Sequence, residues 1–247
     1  MGETQHRPRR GRVARVTLPY VEAFGPTIQG EGAAAGRVAA FVRFGGCNLS
    51  CSWCDSPYTW DADRFDLRQE ITMLGVDDIL ARIPEAPLTI VTGGEPLLNQ
   101  RKPEFHDLLT RLRARGTEIH VETNGTIVPN AETVALVDVF MVSPKLPHAG
   151  EHKRTQDPAL ARGWQLIHGT AEAHLKVVCE TVEDVHRTRD LADRHSWPTR
   201  HVWVMPEGTT TDTLNTRFPI LADAAVALGI NLSHRLHVIA WGDKRGH

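Results

Sequence analysis

The sequence predicts an α/β fold, a partial, open TIM-like barrel of about six parallel βα units. Short apolar runs alternate with helical patterns at roughly 20–35-residue spacing, the rhythm of βαβ units. Several of the runs are nearly continuous in apolar residues, as strands buried on both faces should be. The units stop near six, whereas a closed barrel needs about eight.

Taken in order, residues 1–15 carry Arg7, Arg9, Arg10, Arg12 and Arg15 around Pro8 and Gly11. They read as a disordered basic tail. No aromatic residues interleave with the arginines, so a nucleic-acid arm is not expected. Residues 16–247 read as one domain. Within it, Phe24-Gly25-Pro26-Thr27-Ile28-Gln29-Gly30-Glu31-Gly32 is expected to be an ordered loop with exposed backbone. Strands are expected at Val38–Phe44, Leu88–Thr92, Glu118–Thr123, Asp138–Ser143, His174–Cys179, Val202–Met205 and Leu236–Ala240. Helices are expected at Pro103–Arg115, Asn130–Val137, Asp157–Ile167, Val182–Arg194 and Asp212–Leu228. In the first of these, Phe105, Leu108, Leu109 and Leu112 form one apolar stripe between an opening proline and a closing Gly116. Asp212 is the expected N-cap of the last, and Gly229 its left-handed stop.

Composition supports a folded protein. The 247 residues (27.4 kDa) are 41% hydrophobic and 23% charged, which excludes wholesale disorder, collagen and coiled coil. A net charge of −2 provides no global attraction to nucleic acid or membrane. No apolar run reaches the roughly 18 residues of a membrane span, and the basic N-terminus lacks the apolar core of a signal peptide. Three of the four cysteines, Cys47, Cys51 and Cys54, fall within eight residues, and Cys179 is remote. Close neighbours cannot all pair, so the pattern suggests metal in a reducing cytoplasm.

The cysteine loop, Gly45-Gly46-Cys47-Asn48-Leu49-Ser50-Cys51-Ser52-Trp53-Cys54-Asp55, follows the first core strand. Iron–sulfur clusters of the 4Fe–4S kind usually take four cysteines, so three would leave one iron open for chemistry. Structural zinc is the alternative, with Cys179, His106 or His120 as a fourth ligand. Cys-x3-Cys-x2-Cys with Trp53 before the third cysteine resembles the signature of the radical S-adenosylmethionine superfamily. The resemblance implies that Cys47, Cys51 and Cys54 hold a 4Fe–4S cluster and that S-adenosyl-L-methionine chelates its open iron. One electron then cleaves the sulfonium to methionine and a 5′-deoxyadenosyl radical.

Polar residues recur at the strand ends, where α/β folds place their sites. Thr92-Gly93-Gly94-Glu95-Pro96 resembles the superfamily's GGE element. By that resemblance Gly94 and Glu95 meet the cofactor's amino group, the two glycines letting the backbone come close to a ligand. Asn124, Ser143, Pro144, Lys145 and Met205, Pro206, Glu207, Gly208 are implied to complete the S-adenosylmethionine site with Trp53. Met205 aligns with a residue that is often polar in relatives, so its contact is expected through the backbone.

Gln29-Gly30-Glu31-Gly32 ahead of the cysteines, Arg43, Ser56, His237 and Trp241-Gly242-Asp243 together resemble the 7-carboxy-7-deazaguanine synthase family from about residue 20 to 243. The family's reaction converts 6-carboxy-5,6,7,8-tetrahydropterin to 7-carboxy-7-deazaguanine, with ring contraction and loss of ammonia. The resemblance implies that Glu31 accepts from the pyrimidine edge, assisted by Gln29 and by backbone at Ile28 and Gly30. Arg43 offers a planar fork to the substrate carboxylate, and Thr92 and His237 add polar contacts. Ser56 stands where threonine is usual and supplies a hydroxyl to Mg²⁺. Some relatives end soon after the histidine and bind substrate through their terminal carboxylate. Here Asp243 is expected to take that part. No residue is singled out as general acid or base. The implied partners are the pterin and an electron donor of flavodoxin or ferredoxin type, with homodimer assembly and no nucleic acid or membrane.

Two rival readings are compatible with the sequence. A glycyl-radical enzyme activase shares the cysteine spacing and would act on a protein. A non-catalytic metal module would be an electron carrier or a zinc scaffold.

Overall fold

A computed structural model describes residues 17–155, 158–168 and 170–247. The basic tail at 1–15 lies outside them. Nine strands form one sheet in the order β3-β1-β2-β4-β5-β6-β7-β8-β9. They are β1 (Leu18–Ile28), β2 (Val38–Phe44), β3 (Thr72–Leu74), β4 (Leu88–Gly93), β5 (Glu118–Thr123), β6 (Val139–Val142), β7 (Glu172–Cys179), β8 (Val202–Pro206) and β9 (Asn231–Leu232). The helices are α1 (Leu67–Glu70), α2 (Val76–Leu80), α3 (Pro103–Ala114), α4 (Ala131–Leu136), α5 (Trp164–Ile167), α6 (Val182–Arg194), α7 (Thr211–Leu228) and α8 (Leu236–Trp241). From β2 to β9 every pairing is parallel, and β1 runs antiparallel to β2 and β3. β9 and β3 stand at opposite edges, so the sheet is an open partial barrel, as expected.

Alternation along the strands sorts the side chains. Val42 and Phe44, Val121, Phe140, Leu175, Val177 and Val204 face outward into the main core, against Phe105, Leu108, Leu109 and Leu112 of α3 and Val185 of α6. The other parity faces inward. Phe41, Leu88 and Ile90 form a small cluster there with Phe24, whose ring stacks on Phe41 at 4.9 Å between centroids. Beyond that apolar floor, Arg43, Thr92, Glu122 and Lys176 lead toward the strand ends.

Four expectations are corrected. Leu236–Ala240 is helical and belongs to α8; a short apolar run fits a strand or a buried helical turn equally well. The segment read as a loop before β2 is largely β1. Pro19, Gly25 and Pro26 mask its strand pattern, and its register shifts between Phe24 and Thr27, where it pairs with β2 alone. The helix expected at Asp157–Ile167 is confined to Trp164–Ile167; Asp157 itself lies outside the described residues. Thr210, not Asp212, caps α7 by accepting from the Thr213 N–H, while Gly229 ends it at φ 64°. The capping box of α6 joins Thr181 and Asp184.

Candidate active site

The loops at the C-terminal ends of the parallel strands surround a cavity of about 370 Å³. Cys47, Cys51 and Cys54 line one side of it. The sequence-selected Trp53, Ser56, Gly94, Asn124, Ser143, Lys145 and Met205 line it too, as do Ile28, Gln29, Gly30, Glu31, Arg43, Thr92, His237 and Asp243. Pro144, Glu95, Pro206, Glu207 and Gly208 are not among the lining residues.

Contacts with the rest of the chain shape the cysteine loop. Leu49, Cys51 and Ala149 pack together, with Cys47, Trp53 and Cys54 against them. The Leu49 N–H and the Trp60 indole N–H each donate to a thiol, Cys47 and Cys54 respectively, at 3.4 Å. Asn124 Nδ2 approaches Cys47 Sγ at 3.9 Å. Burial pushes the Cys47 thiol up to about 12 and raises Cys51 and Cys54 as well. Such thiols ionise only against a cation, while the surrounding N–H donors suit thiolates on an iron–sulfur cluster. The fourth ligands considered for zinc lie elsewhere. Cys179 is in the outer core, where its thiol is paired with the Thr188 hydroxyl at 3.6 Å. His106 pairs with Thr133 and Glu132, and His120 with Glu118.

The glycine pair Gly93-Gly94 at the end of β4 packs closely against neighbouring backbone. A Cβ at Gly93 would fall 2.2 Å from the Phe44 carbonyl oxygen, and one at Gly94 2.1 Å from that of Gly46. The close approach is therefore to the backbone at the end of β2 and the start of the cysteine loop. The Glu95 carboxylate is fully buried, accepts from the Leu97 and Asn124 N–H groups and from the Thr123 hydroxyl, and so ties the GGE turn to the end of β5. Burial raises its carboxyl to about 7 despite these donors. Glu207 turns to Arg217. Lys145 donates to Ser143 at 2.9 Å and lies 5.6 Å from the centre of the Trp53 ring.

The same cavity is lined by a charged network that the sequence only partly revealed. Lys176 donates to Glu31 at 2.6 Å and to Glu122 at 3.4 Å. Glu122 also accepts from Gln29 Nε2 at 3.1 Å and from the Thr92 hydroxyl at 2.9 Å. Arg235 donates to Glu31 at 3.0 Å and to Asp55 at 2.5 Å. Burial opposes ionisation of Glu31, but Lys176 and Arg235 outweigh it and hold the carboxyl well below the usual range. Burial likewise works against the Lys176 ammonium, and Glu122 and Glu31 raise it above its ordinary value. Arg43 donates from Nε to Glu22 at 2.9 Å. Ser56 donates to Asp55 at 3.3 Å. His237 enters from α8, so tightly that a Cβ on Gly30 would lie 2.1 Å from its Nδ1. Two signals for this network were present in the sequence. Lys176 interrupts an apolar strand at period two with His174, and Glu122 heads the Glu-Thr-Asn-Gly strand end.

Residues 41–146 match the radical SAM superfamily. The chain is 35% identical to the 7-carboxy-7-deazaguanine synthase of Pyrobaculum aerophilum, over 89% of this chain and 93% of that one. It is 35% identical to the enzyme of that name from Halobacterium salinarum (92% and 91% covered). The Bacillus subtilis enzyme of that name is 31% identical (93% and 98% covered). In fold it is similar to the crystal structure of QueE from Escherichia coli, with a TM-score of 0.62 and 24% identity over 88% of this chain and 93% of that chain. The family is named for one small-molecule reaction, so the activase reading is not favoured. By sequence, fold and cysteine loop, the chain belongs to the 7-carboxy-7-deazaguanine synthase family of the radical SAM superfamily.

Proposed function

We propose that this enzyme converts 6-carboxy-5,6,7,8-tetrahydropterin to 7-carboxy-7-deazaguanine with loss of ammonia, using a 4Fe–4S cluster, S-adenosyl-L-methionine and Mg²⁺. The observation that carries the reading is convergence. All eight residues assigned to the pterin from the sequence line the same cavity as the three cysteines.

Cys47, Cys51 and Cys54 would hold the cluster. When bound and reduced by an external donor, it would supply the electron for reductive cleavage of S-adenosylmethionine, and so the radical chemistry directed at C6 of the pterin. Gly94, Asn124, Ser143, Lys145 and Met205 frame the cofactor's place on the cysteine side. Lys145 carries the cation suited to a carboxylate there. Glu31, kept ionised by its two cations, accepts from the pyrimidine N–H groups. Each carboxylate oxygen retains a lone pair after binding Lys176 or Arg235. Gln29 and Thr92 are oriented by Glu122. Arg43 and His237 face the cavity for the polar end of the substrate. The Ser56 hydroxyl is the protein ligand assigned to Mg²⁺. Asp243 takes the place of a terminal carboxylate, and its carboxyl is raised by burial and by nearby Asp55. A small flavodoxin- or ferredoxin-type donor, homodimer assembly and a reducing cytoplasmic setting follow from family resemblance. No helix among the described residues is long and apolar enough to cross a membrane.

The test is anaerobic turnover with the pterin, S-adenosylmethionine, Mg²⁺ and a reductant. The protein should be brown, with about four irons per chain. It should release ammonia and a product of altered ultraviolet spectrum. Colourless zinc protein, or brown protein inert toward the pterin, would overturn the reading.

A further inference from the structure

Arg235 is buried at the start of α8, and its guanidinium reaches three different loops. Nε donates to Glu31 Oε1 at 3.0 Å, on the turn after β1. One terminal nitrogen donates to Asp55 Oδ2 at 2.5 Å, between Cys54 and Ser56. The other donates to the Gly208 carbonyl at 2.7 Å, on the loop after β8. The backbone follows the same path, since the Leu236 N–H donates to the Gly30 carbonyl at 3.0 Å.

We propose that Arg235 is a positioning residue that sets the Glu31 turn and the Asp55–Ser56 turn relative to each other, so that pterin recognition and the metal-facing end of the cysteine loop are held as one unit. The proposal rests on the functional reading above for what Glu31 and Ser56 do. Its geometric part stands without that reading. A planar cation with donors pointing three ways can satisfy three acceptors at once, and an ammonium at the end of a flexible stem cannot hold the same directions. The two carboxylates would repel each other without it. A rigid link between them fixes the distance from the pyrimidine acceptor to the hydroxyl assigned to Mg²⁺. That distance must match one substrate molecule spanning both.

Two readouts test this on the reconstituted holoenzyme. Hydrogen–deuterium exchange of Arg235→Gln should rise together at residues 28–32 and 54–57, with Arg235→Lys intermediate. A change confined to residues 235–241, or to only one of the two turns, overturns the coupling. Anaerobic titration with the pterin should show Arg235→Gln binding about tenfold or more weakly than the parent. The loss in the double variant Glu31→Gln/Arg235→Gln should be clearly smaller than the sum of the two single losses. Additive losses would mean that Arg235 does not act through Glu31, and overturn the proposal. If Arg235→Gln does not retain iron, Asp55→Asn cuts one arm alone. It should raise both the exchange at 28–32 and the pterin Kd, and no change in either overturns the proposal. A parent protein that fails to bind pterin would sink the functional reading and leave the exchange result to judge the coupling.

Discussion

Glu95 offers two oxygens to three donors. The Leu97 N–H points at Oε1, the Asn124 N–H at Oε2, and the Thr123 hydroxyl reaches both. A glutamine of the same shape must put its NH₂ where one of those backbone N–H groups already points. Glu95→Gln should therefore cost about 1–3 kcal/mol and lower Tm by several degrees in a scan of the apoprotein. An unchanged Tm would mean that the carboxylate does not hold the turn. Lys176 allows a second test at this scale. The native Glu31 stays ionised because Lys176 and Arg235 outweigh its burial. Its carboxyl lies below the ordinary value, so its contribution to stability is complete above about pH 4.5 and is lost only in stronger acid. Lys176→Met removes one cation and lets the Glu31 carboxyl rise. Pterin affinity should then fall more steeply toward acid pH in the variant than in the parent. Parallel profiles in the two proteins would show that Arg235 alone keeps Glu31 charged.

Among the elements, the parallel strands were the most legible. β2 and β5 match their expected bounds, and α6 matches residue for residue, because buried strands and capped amphipathic helices carry strong local signals. β1 and α8 were misread because prolines and glycines interrupt the first, and the second is too short to express a helical period. The cysteine loop was legible because its spacing marks it, and the residues given to the pterin were chosen by family resemblance, not by spacing. Lys176 and Arg235 were not, since their roles arise from partners 145 and 204 residues away. The Gly-Gly pair shows a limit of another kind: the need for glycine was readable, and what comes close was not. Gly94→Ala follows from the observed contact. Its Cβ would displace the Gly46 carbonyl and with it the backbone leading into Cys47. Reconstituted Gly94→Ala should hold clearly less iron per chain than the parent at matched protein concentration. Full iron content would show that the cysteine loop tolerates the shift.

At the scale of the whole molecule, the first strand and the last described residues both contribute to the site. Residues 243–247 line the cavity together with Phe24 and Ile28 of β1. Arg245 draws them in, donating to Glu22 on β1 at 2.7 Å and to Glu70 on α1 at 3.0 Å, with its guanidinium 4.0 Å from the centre of the Tyr58 ring. Glu22 in turn accepts from Arg43 and from the Tyr58 hydroxyl, both at 2.9 Å. The segment carrying Asp243 is thus joined through one carboxylate to the arginine assigned to the substrate carboxylate. Arg245 itself is 45% exposed in its side chain, so its ion pairs contribute little to global stability. Substitution should consequently separate binding from folding. Arg245→Ala should leave Tm within about 2 °C of the parent, since an exposed pair is worth under about 1 kcal/mol. It should weaken pterin binding severalfold, because Asp243 loses its anchor and Glu22 is freed to compete for Arg43. Calorimetric titration with the pterin, beside a thermal scan, measures both. Unaltered affinity would mean that the C-terminal segment merely rests over the cavity, and a Tm drop as large as that of Glu95→Gln would make it part of the structural frame.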